Sequence, residues 1–223
     1  MTGRTGPSAL RHRTLVVIAK EPLPGRVKTR LTPPFSPTGA AALAEAALTD
    51  TLAAVAAAPA RRRVLVLAGR PGPWLPAGFE VAAQVEGGLD ERIAAALAAV
   101  DGPVLLVGMD TPQLTPDLLA ADPARDAWFG PAEDGGFWAL GLARPDPELV
   151  RGVPMSLADT GARQLDRLRG AGLDVGLLPP LLDVDTAADA AEVATAAPGT
   201  RFAATWRGLV GTAVPAAVAT GAA

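Results

Sequence analysis

The sequence predicts a single-domain α/β fold built around a mostly parallel β-sheet. Its 223 residues are 49% hydrophobic and 19% charged, which suits one domain with a sizeable core. Short, continuous apolar runs such as Thr14 to Ala19 (TLVVIA) are typical of strands buried on both faces. These runs alternate with helix-like segments, and strand–helix–strand units with right-handed crossovers form parallel sheets.

The elements follow one another with turn-rich connections between them. Residues 1–13 are expected to be a flexible extension, and 198–223 form an Ala/Gly/Thr-rich tail typical of poor order. The catalytic domain is therefore predicted at 14–197. A Pro-rich, basic loop precedes an Ala-rich helix that Thr38 is expected to cap, and Thr186 is expected to cap the last helix. Further strands are predicted at 63–68, 81–85, 104–107, 127–129, 137–142 and 175–178, and further helices at 89–100, 116–121 and 158–169.

The composition excludes several kinds of chemistry. The chain has no cysteine, which excludes disulfides, thiol catalysis and Cys-ligated zinc. Its single histidine, His12, lies near the basic N-terminus, which argues against a His-based triad. Catalysis is therefore expected to use carboxylates, Lys, Arg and a metal ion.

The charge and hydropathy patterns bear on partners and compartment. The net charge is −3 and no basic stretch is dense enough for a nucleic-acid surface. The longest Ala-rich stretch, 40–58, contains Glu45 and Asp50, and the apolar run at 15–19 is short for a secretory signal. We therefore expect a cytoplasmic protein without a membrane span. The sequence leaves the oligomeric state open.

The loop after the first strand is the first candidate ligand site, because parallel sheets bind ligands beyond the carboxyl ends of their strands. It carries four cations within eleven residues: Lys20, Arg26, Lys28 and Arg30. Gly25 lets the backbone approach an anion, and the prolines stiffen the loop. A lysine and an arginine suit phosphate oxygens, as a point charge and a bidentate fork. The alternative is a solvated basic loop. The loop is not a P-loop, because Arg26 and Val27 separate Gly25 from Lys28.

Three aspartates at strand ends form the second candidate site. Asp110 follows the strand at 104–107, and Asp183 and Asp185 lie at i, i+2 near the end of the domain. Carboxylates so close repel each other unless a cation lies between them, and Mg²⁺ or Mn²⁺ takes oxygen ligands of this kind. The alternative is that Asp110 belongs to a turn and Asp185 caps the last helix.

Two glycine-containing turns add weaker candidates. In 131–138, Glu133 or Asp134 could bind an acceptor or act as a base, although Asp-Gly is more often a plain β-turn. Asp134 is the residue expected to contact the acceptor or act as the base. In 84–92, paired glycines including Gly88 could pack against a nucleobase or ribose, or simply precede a helix.

The motifs, taken in order, resemble a bacterial family of GT-A glycosyltransferases of uncertain substrate, some of them linked to arsenosugar biosynthesis. The resemblance covers residues 14–197. The matching patterns are A-K-x-P-x-P-G-x-x-K-T-R-L at 19–31, Q-x-x-G-x-L-x-x-R at 84–92, G-x-D-x-P at 108–112, P-A-x-D-G-G at 131–136 and D-V-D-T at 183–186. The same order of motifs is similar to that of 2-phospho-L-lactate guanylyltransferase and, more distantly, of molybdenum cofactor guanylyltransferase. Both are nucleotidyltransferases. Phe137 stands where the family usually has Tyr, and its Trp-Ser-Thr is not evident around Met155 and Ser156, so the acceptor pocket is expected to differ.

The resemblance implies a nucleotide-diphospho-sugar transferase (GT-A) fold, a three-layer αβα sandwich. It implies phosphate binding by Lys28 and Arg30, and metal ligation by Asp110 with Asp183 and Asp185. The nucleotide site is expected to include Ala19, Lys20, Gly25, Lys28, Thr29, Arg30, Gln84 and Gly88. Three functions stay open: transfer of a sugar from a nucleotide-sugar to a small acceptor, transfer of a nucleotidyl group from a nucleoside triphosphate, and nucleotide binding without turnover.

Overall fold

The computed structural model describes residues 12–213, which contain one seven-stranded sheet. Most of the predicted extension (1–11) and the last part of the predicted tail (214–223) lie outside the described residues. The strands, β1 to β7 in chain order, are Thr14–Lys20, Arg62–Ala68, Glu80–Ala83, Val104–Val107, Ala127–Pro131, Phe137–Leu142 and Val175–Leu177. Their order in the sheet is β3-β2-β1-β4-β6-β5-β7. Every strand pair is parallel except those that β6 makes with β4 and β5. The predicted mostly parallel sheet is confirmed.

The side chains of β1 alternate between the two faces of the sheet, because successive residues of a strand point in opposite directions. Leu15 and Val17 pack in a cluster with residues of the helix α1 (Pro37–Ala57). Val16 and Ile18 pack in a second cluster with α2 (Leu89–Ala98) and with Leu168 of α3 (Thr160–Gly170). Helices thus cover both faces of the sheet, and the predicted three-layer arrangement is confirmed.

The helix α1 begins slightly earlier than expected, and its cap is a different residue. Ser36 Oγ accepts a hydrogen bond from Gly39 N at 3.1 Å, and Pro37 is the first helical residue. The prediction that Thr38 caps this helix is wrong, because proline suits the first helical position and places the cap one residue before it. By length and composition α1 could cross a membrane, but 61% of its most apolar window is buried inside the fold, which favours a core helix.

Two further segments differ from the expectations. The predicted helix at 116–121 is a series of turns, in which Leu119 N and Ala120 N bond to carbonyl groups three residues earlier. The segment is too short to propagate a helix, and Pro123 follows at once. Beyond the helix α4 (Ala187–Ala196), the chain forms α5 (Arg201–Ala213), an element that the sequence did not predict.

The helix α5 docks on the outer face of α1. Its Phe202 joins Leu43 of α1 and Val193 of α4 in a buried cluster. Asp50 of α1 accepts hydrogen bonds from the backbone N–H groups of Arg201 and Phe202, at 3.1 and 2.8 Å, and so satisfies the first turn of α5. The helix α5 therefore adds a second layer of helix outside α1, on the face of the sheet that α1 covers.

Candidate functional site

Three segments meet at the carboxyl edge of the sheet. The backbone N–H of Lys20, at the end of β1, lies 3.2 Å from Met109 Sδ in the loop after β4. Val184 N donates to Asp110 O at 3.0 Å, and a bridge between Ala132 and Leu181 continues the pairing beyond β5. The loop after β1, the Asp110 loop and the Asp183–Asp185 segment are thus neighbours, as the strand-end rule predicts.

Lys28 lies at the centre of this edge. Its Nζ is 2.9 Å from Asp110 Oδ2 and 2.9 Å from Asp185 Oδ1, and its side chain is only 9% exposed. Burial disfavours the ammonium form, but the two carboxylates outweigh burial and hold the pKa of Lys28 above its usual value. The lysine is therefore a charged, enclosed cation between two of the three aspartates.

The backbone of Lys28 adopts an uncommon conformation for a residue with a side chain. Its φ of 48° and ψ of 41° are left-handed, immediately before a 3₁₀ turn at Thr29–Leu31. Such a conformation costs a non-glycine residue roughly 1–2 kcal/mol, and the paired carboxylates are interactions that can offset it. Arg30, on the same turn, is 77% exposed and reaches Asp185 Oδ2 at 3.5 Å.

Asp183 is the carboxyl group most affected by this environment. Burial, together with the nearby charges of Asp110 and Asp134, raises the pKa of Asp183 to about 7, against an opposing effect of Lys28. Asp134 thus lies close enough to act on Asp183 electrostatically, although it is itself exposed. Asp110, Asp183 and Asp185 are thus coupled electrostatically to Lys28, and Asp134 is coupled to this group through Asp183.

Asp134 is held by a tight turn that packs against α3. Its Oδ1 accepts from Gly136 N at 2.8 Å, and Gly161 N of α3 donates to Gly135 O at 2.8 Å. A Cβ added at Gly161 would lie 2.3 Å from Gly136 O, so only glycine allows this approach. Phe137, at the usual Tyr position of the family, packs on Phe129 with ring centroids 5.6 Å apart.

The predicted nucleotide-binding residues occupy the neighbouring part of the edge. Gln84 donates its amide to Ala19 O at 2.6 Å and to Val66 O at 3.1 Å, so it ties the end of β3 to β1 and β2. Gly88 caps α2 without a side chain. Gly25, with a φ of 73°, has open space around the Cβ position. Thr29 is exposed. Nucleotide binding by these residues stays a prediction.

Two residues that the sequence did not single out position the Asp183–Asp185 segment. Gln113 donates its amide to Leu182 O at 2.7 Å. Asp189 Oδ2 accepts from Asp185 N at 3.1 Å and from Thr186 N at 2.6 Å, and Thr186 caps α4 as predicted. The spacing T-x-x-D is a capping-box signal that could have identified Asp189. Gln113 carries no local signal, because its partner is 69 residues away.

The carboxylates provide part of a divalent-cation site. Asp110 Oδ1 and Asp183 Oδ1 are buried and have no hydrogen-bond partner among the described residues. Unpaired buried carboxylate oxygens suit a hard cation such as Mg²⁺ or Mn²⁺. Within residues 12–213, however, no three acidic or histidine side chains already converge as metal ligands, and Asp185 pairs with Lys28 and Arg30. The residues fit a metal in chemistry, and the role of the three aspartates stays a prediction.

Comparison with known proteins gives the family. Residues 41–157, more than half of the chain, match the family described as "Uncharacterized protein conserved in bacteria (DUF2064)". The chain belongs to this family. No curated protein matches the sequence significantly.

Solved structures support the fold. A crystal structure from Desulfovibrio desulfuricans G20, provisionally named a nucleotide-diphospho-sugar transferase, is 27% identical with a TM-score of 0.77, over 90% of this chain and 94% of that chain. The likeness confirms the predicted nucleotide-diphospho-sugar transferase fold and the resemblance drawn from the motifs.

Two nucleotidyltransferases have the same fold at lower identity. CMP:2-keto-3-deoxy-manno-octonic acid synthetase in complex with CTP is 13% identical, over 84% of this chain and 99% of that chain, with a TM-score of 0.52. The 2-C-methyl-D-erythritol 4-phosphate cytidylyltransferase of Thermus thermophilus is 16% identical over the same shares of the chains, also with a TM-score of 0.52. At these identities the likeness concerns the fold alone.

Proposed function

We propose that this protein is a metal-dependent glycosyltransferase that moves a sugar from a nucleotide-diphospho-sugar to a small acceptor. The observation that carries the proposal is the group of Lys28, Asp110, Asp183 and Asp185 at the carboxyl edge of the sheet. The likeness to the Desulfovibrio protein, which is provisionally named for this class of donor, supports it.

In this proposal the cations of the first loop neutralise the diphosphate. Lys28 and Arg30 already converge on one carboxylate, Asp185, so they can converge in the same way on a phosphate group. The nucleotide lies beside the other predicted binding residues of this edge, which are Ala19, Lys20, Gly25, Thr29, Gln84 and Gly88. Asp110, Asp183 and Asp185 would hold a Mg²⁺ or Mn²⁺ ion, which supplies positive charge at the leaving diphosphate.

The reaction transfers the glycosyl group between two oxygen atoms. The acceptor hydroxyl oxygen bonds to the anomeric carbon, the bond from that carbon to the diphosphate oxygen breaks, and the nucleoside diphosphate leaves with the bonding electron pair. Asp134 contacts the acceptor and takes the hydroxyl proton, since it is exposed beside the charged group. Charge on the leaving diphosphate develops where Lys28 and Arg30 can reach it.

Nucleotidyl transfer is the second candidate, because the four cations of the first loop also match the charge of a triphosphate. There, an acceptor phosphate attacks the α-phosphorus and pyrophosphate leaves. An assay of released products separates the two. We expect free nucleoside diphosphate from a nucleotide-sugar, whereas pyrophosphate released from a triphosphate would replace the proposal with the second candidate.

The third possibility, a protein without turnover, is tested by removing charge from the site. Asp110→Asn and Lys28→Met should each abolish product release and weaken nucleotide binding. If both variants keep wild-type nucleotide affinity, the active-site assignment is wrong.

A further inference from the structure

The phosphate-binding and metal-binding groups of the proposed function are paired with each other in this fold. Lys28 Nζ lies 2.9 Å from both Asp110 and Asp185, and Arg30 lies 3.5 Å from Asp185. The ammonium group thus stands between two of the carboxylates that would ligate a cation. The carboxylate of Asp185 receives both of the cations that would bind a diphosphate.

The pairing is incomplete, which shows where an external cation would act. Lys28 satisfies Asp110 Oδ2, but Asp110 Oδ1 and Asp183 Oδ1 remain buried without a hydrogen-bond partner among residues 12–213. Lys28 and Arg30 therefore pair with Asp110 and Asp185, and neither forms an ion pair with Asp183 among the described residues. A divalent cation would serve the three carboxylates better, but it cannot approach Asp110 and Asp185 fully while the lysine is between them.

We propose that Lys28 is an internal cation that blocks the divalent-metal site until a diphosphate draws it away, so that metal and diphosphate bind together. The inference rests on the proposed function. Arrival of a metal-bound diphosphate exchanges the partners: Lys28 and Arg30 move from Asp185 to phosphate oxygens, and the released aspartates turn to the metal. Lys28, Arg30, Asp110 and Asp185 each have an opposite charge as partner before and after the exchange, so none of these four charges is left unpaired.

The test measures binding of Mn²⁺ alone, by isothermal titration calorimetry and by electron paramagnetic resonance of the free ion. Lys28→Met removes the internal cation, and we expect it to bind Mn²⁺ about tenfold more tightly than wild type, or more. Lys28→Gln keeps hydrogen-bond donors for both aspartates and should show the same gain in Mn²⁺ affinity. It takes the place of the methionine variant if that variant folds poorly. Circular dichroism checks the folding of each variant.

Arg30→Met is the matched control. It removes the same charge two residues away, but Arg30 is exposed and contacts Asp185 alone. Because a solvent-exposed ion pair is weak, its Mn²⁺ affinity should stay within about threefold of wild type. A gain as large as that of Lys28→Met would mean that net charge alone controls metal affinity, and would overturn the proposal.

The reciprocal measurement uses inorganic pyrophosphate in a metal-free, chelated buffer. Asp185→Asn frees Lys28 and Arg30 from one carboxylate, so it should bind pyrophosphate more tightly than wild type. Unchanged or weaker Mn²⁺ binding by both Lys28 variants, or no gain of pyrophosphate affinity in Asp185→Asn, overturns the exchange. Neither result bears on whether the wild type releases nucleoside diphosphate from a nucleotide-sugar, so the two proposals fail separately.

Discussion

At the scale of single residues, Asp183 links the site to the stability of the fold. An aspartate in the unfolded chain titrates near 3.8, whereas burial and neighbouring carboxylates raise the pKa of Asp183 to about 7. Between these pH values the folded state holds a proton that the unfolded state has lost. The contribution of Asp183 to the free energy of unfolding therefore falls as pH rises from about 4 to about 7, and stays low above that range.

The variant Asp183→Asn should remove this pH dependence. In metal-free buffer with a chelator, we expect wild type and variant to be similarly stable near pH 4. At pH 8 the variant should be more stable, by on the order of a few kcal/mol. Urea unfolding at pH 4, 6 and 8 measures the difference. Asp117→Asn makes the same chemical change at an exposed turn and should stay within about 0.5 kcal/mol of wild type throughout. A difference between Asp183→Asn and wild type that does not grow with pH would contradict the assignment.

Some site residues could be predicted from the sequence and others could not, for a physical reason. The strand-end rule for parallel sheets predicts Lys28, Asp110 and Asp185 at one edge, and Lys28 Nζ lies 2.9 Å from both aspartates. Their roles stay predictions. The ion pairs between these residues were not foreseen. Lys28 makes them with a left-handed backbone, and a lysine at this position does not predict that conformation.

At the scale of elements, the contact between α3 and the turn that carries Asp134 is controlled by Gly161. Replacing it with Ala would place a Cβ 2.3 Å from Gly136 O. We expect Gly161→Ala to lower the free energy of unfolding by about 1–3 kcal/mol, because backbone on both sides has to shift. The shift would also displace Asp134 and reduce transfer activity.

Gly170→Ala is the control, since it lies at the other end of α3 with open space around the Cβ position. Alanine also favours helix over glycine, so this variant should match wild type or gain up to about 1 kcal/mol. Chemical denaturation of the pair distinguishes steric contact from a general effect of alanine. Equal stability of the two variants would show that α3 and the turn do not pack so closely.

The helix α5 lies in a segment whose composition is typical of a poorly ordered tail. The chain after Pro198 is rich in Ala, Gly and Thr. In α5, Phe202 and Ala203 nevertheless lie in the buried cluster, and Trp206 and Leu209 pack against it. These few residues complete the cluster over α1. We expect Phe202→Ala to cost about 3–5 kcal/mol of the free energy of unfolding.

Val210→Ala is the corresponding control on the same helix. Val210 is 37% exposed, whereas Phe202 is fully buried, so its loss should cost less than about 1 kcal/mol. Thermal unfolding of both variants gives the comparison. A small effect of Phe202→Ala would mean that α5 does not contribute to the folded core.

At the scale of the whole molecule, topology was more predictable than the ends of elements. Continuous apolar runs identify strands buried on both faces, so the parallel sheet and its ligand-binding edge followed from pattern alone. Helix ends depend on single side chains. Ser36 instead of Thr38 caps α1 because Pro37 follows it, and the segment at 116–121 forms turns because it is too short to propagate. The strand β6 forms an antiparallel hairpin with β5 across the Asp-Gly turn, which is a local signal. Its antiparallel pairing with β4 joins more distant segments, which local pattern does not encode.

The fold and the site together predict how ligands stabilise the molecule. If metal and diphosphate bind as a unit, a nucleotide-sugar at a hundred times its dissociation constant should add about 2.7 kcal/mol in the presence of Mg²⁺ or Mn²⁺. For a chain of this size that corresponds to a rise in Tm of roughly 5–10 °C. In chelated buffer the same nucleotide-sugar should give a much smaller rise, because Asp185 competes for Lys28 and Arg30. Asp110→Asn should lose the metal-dependent part of the shift. An equal shift with and without metal would show that the nucleotide binds without the aspartates.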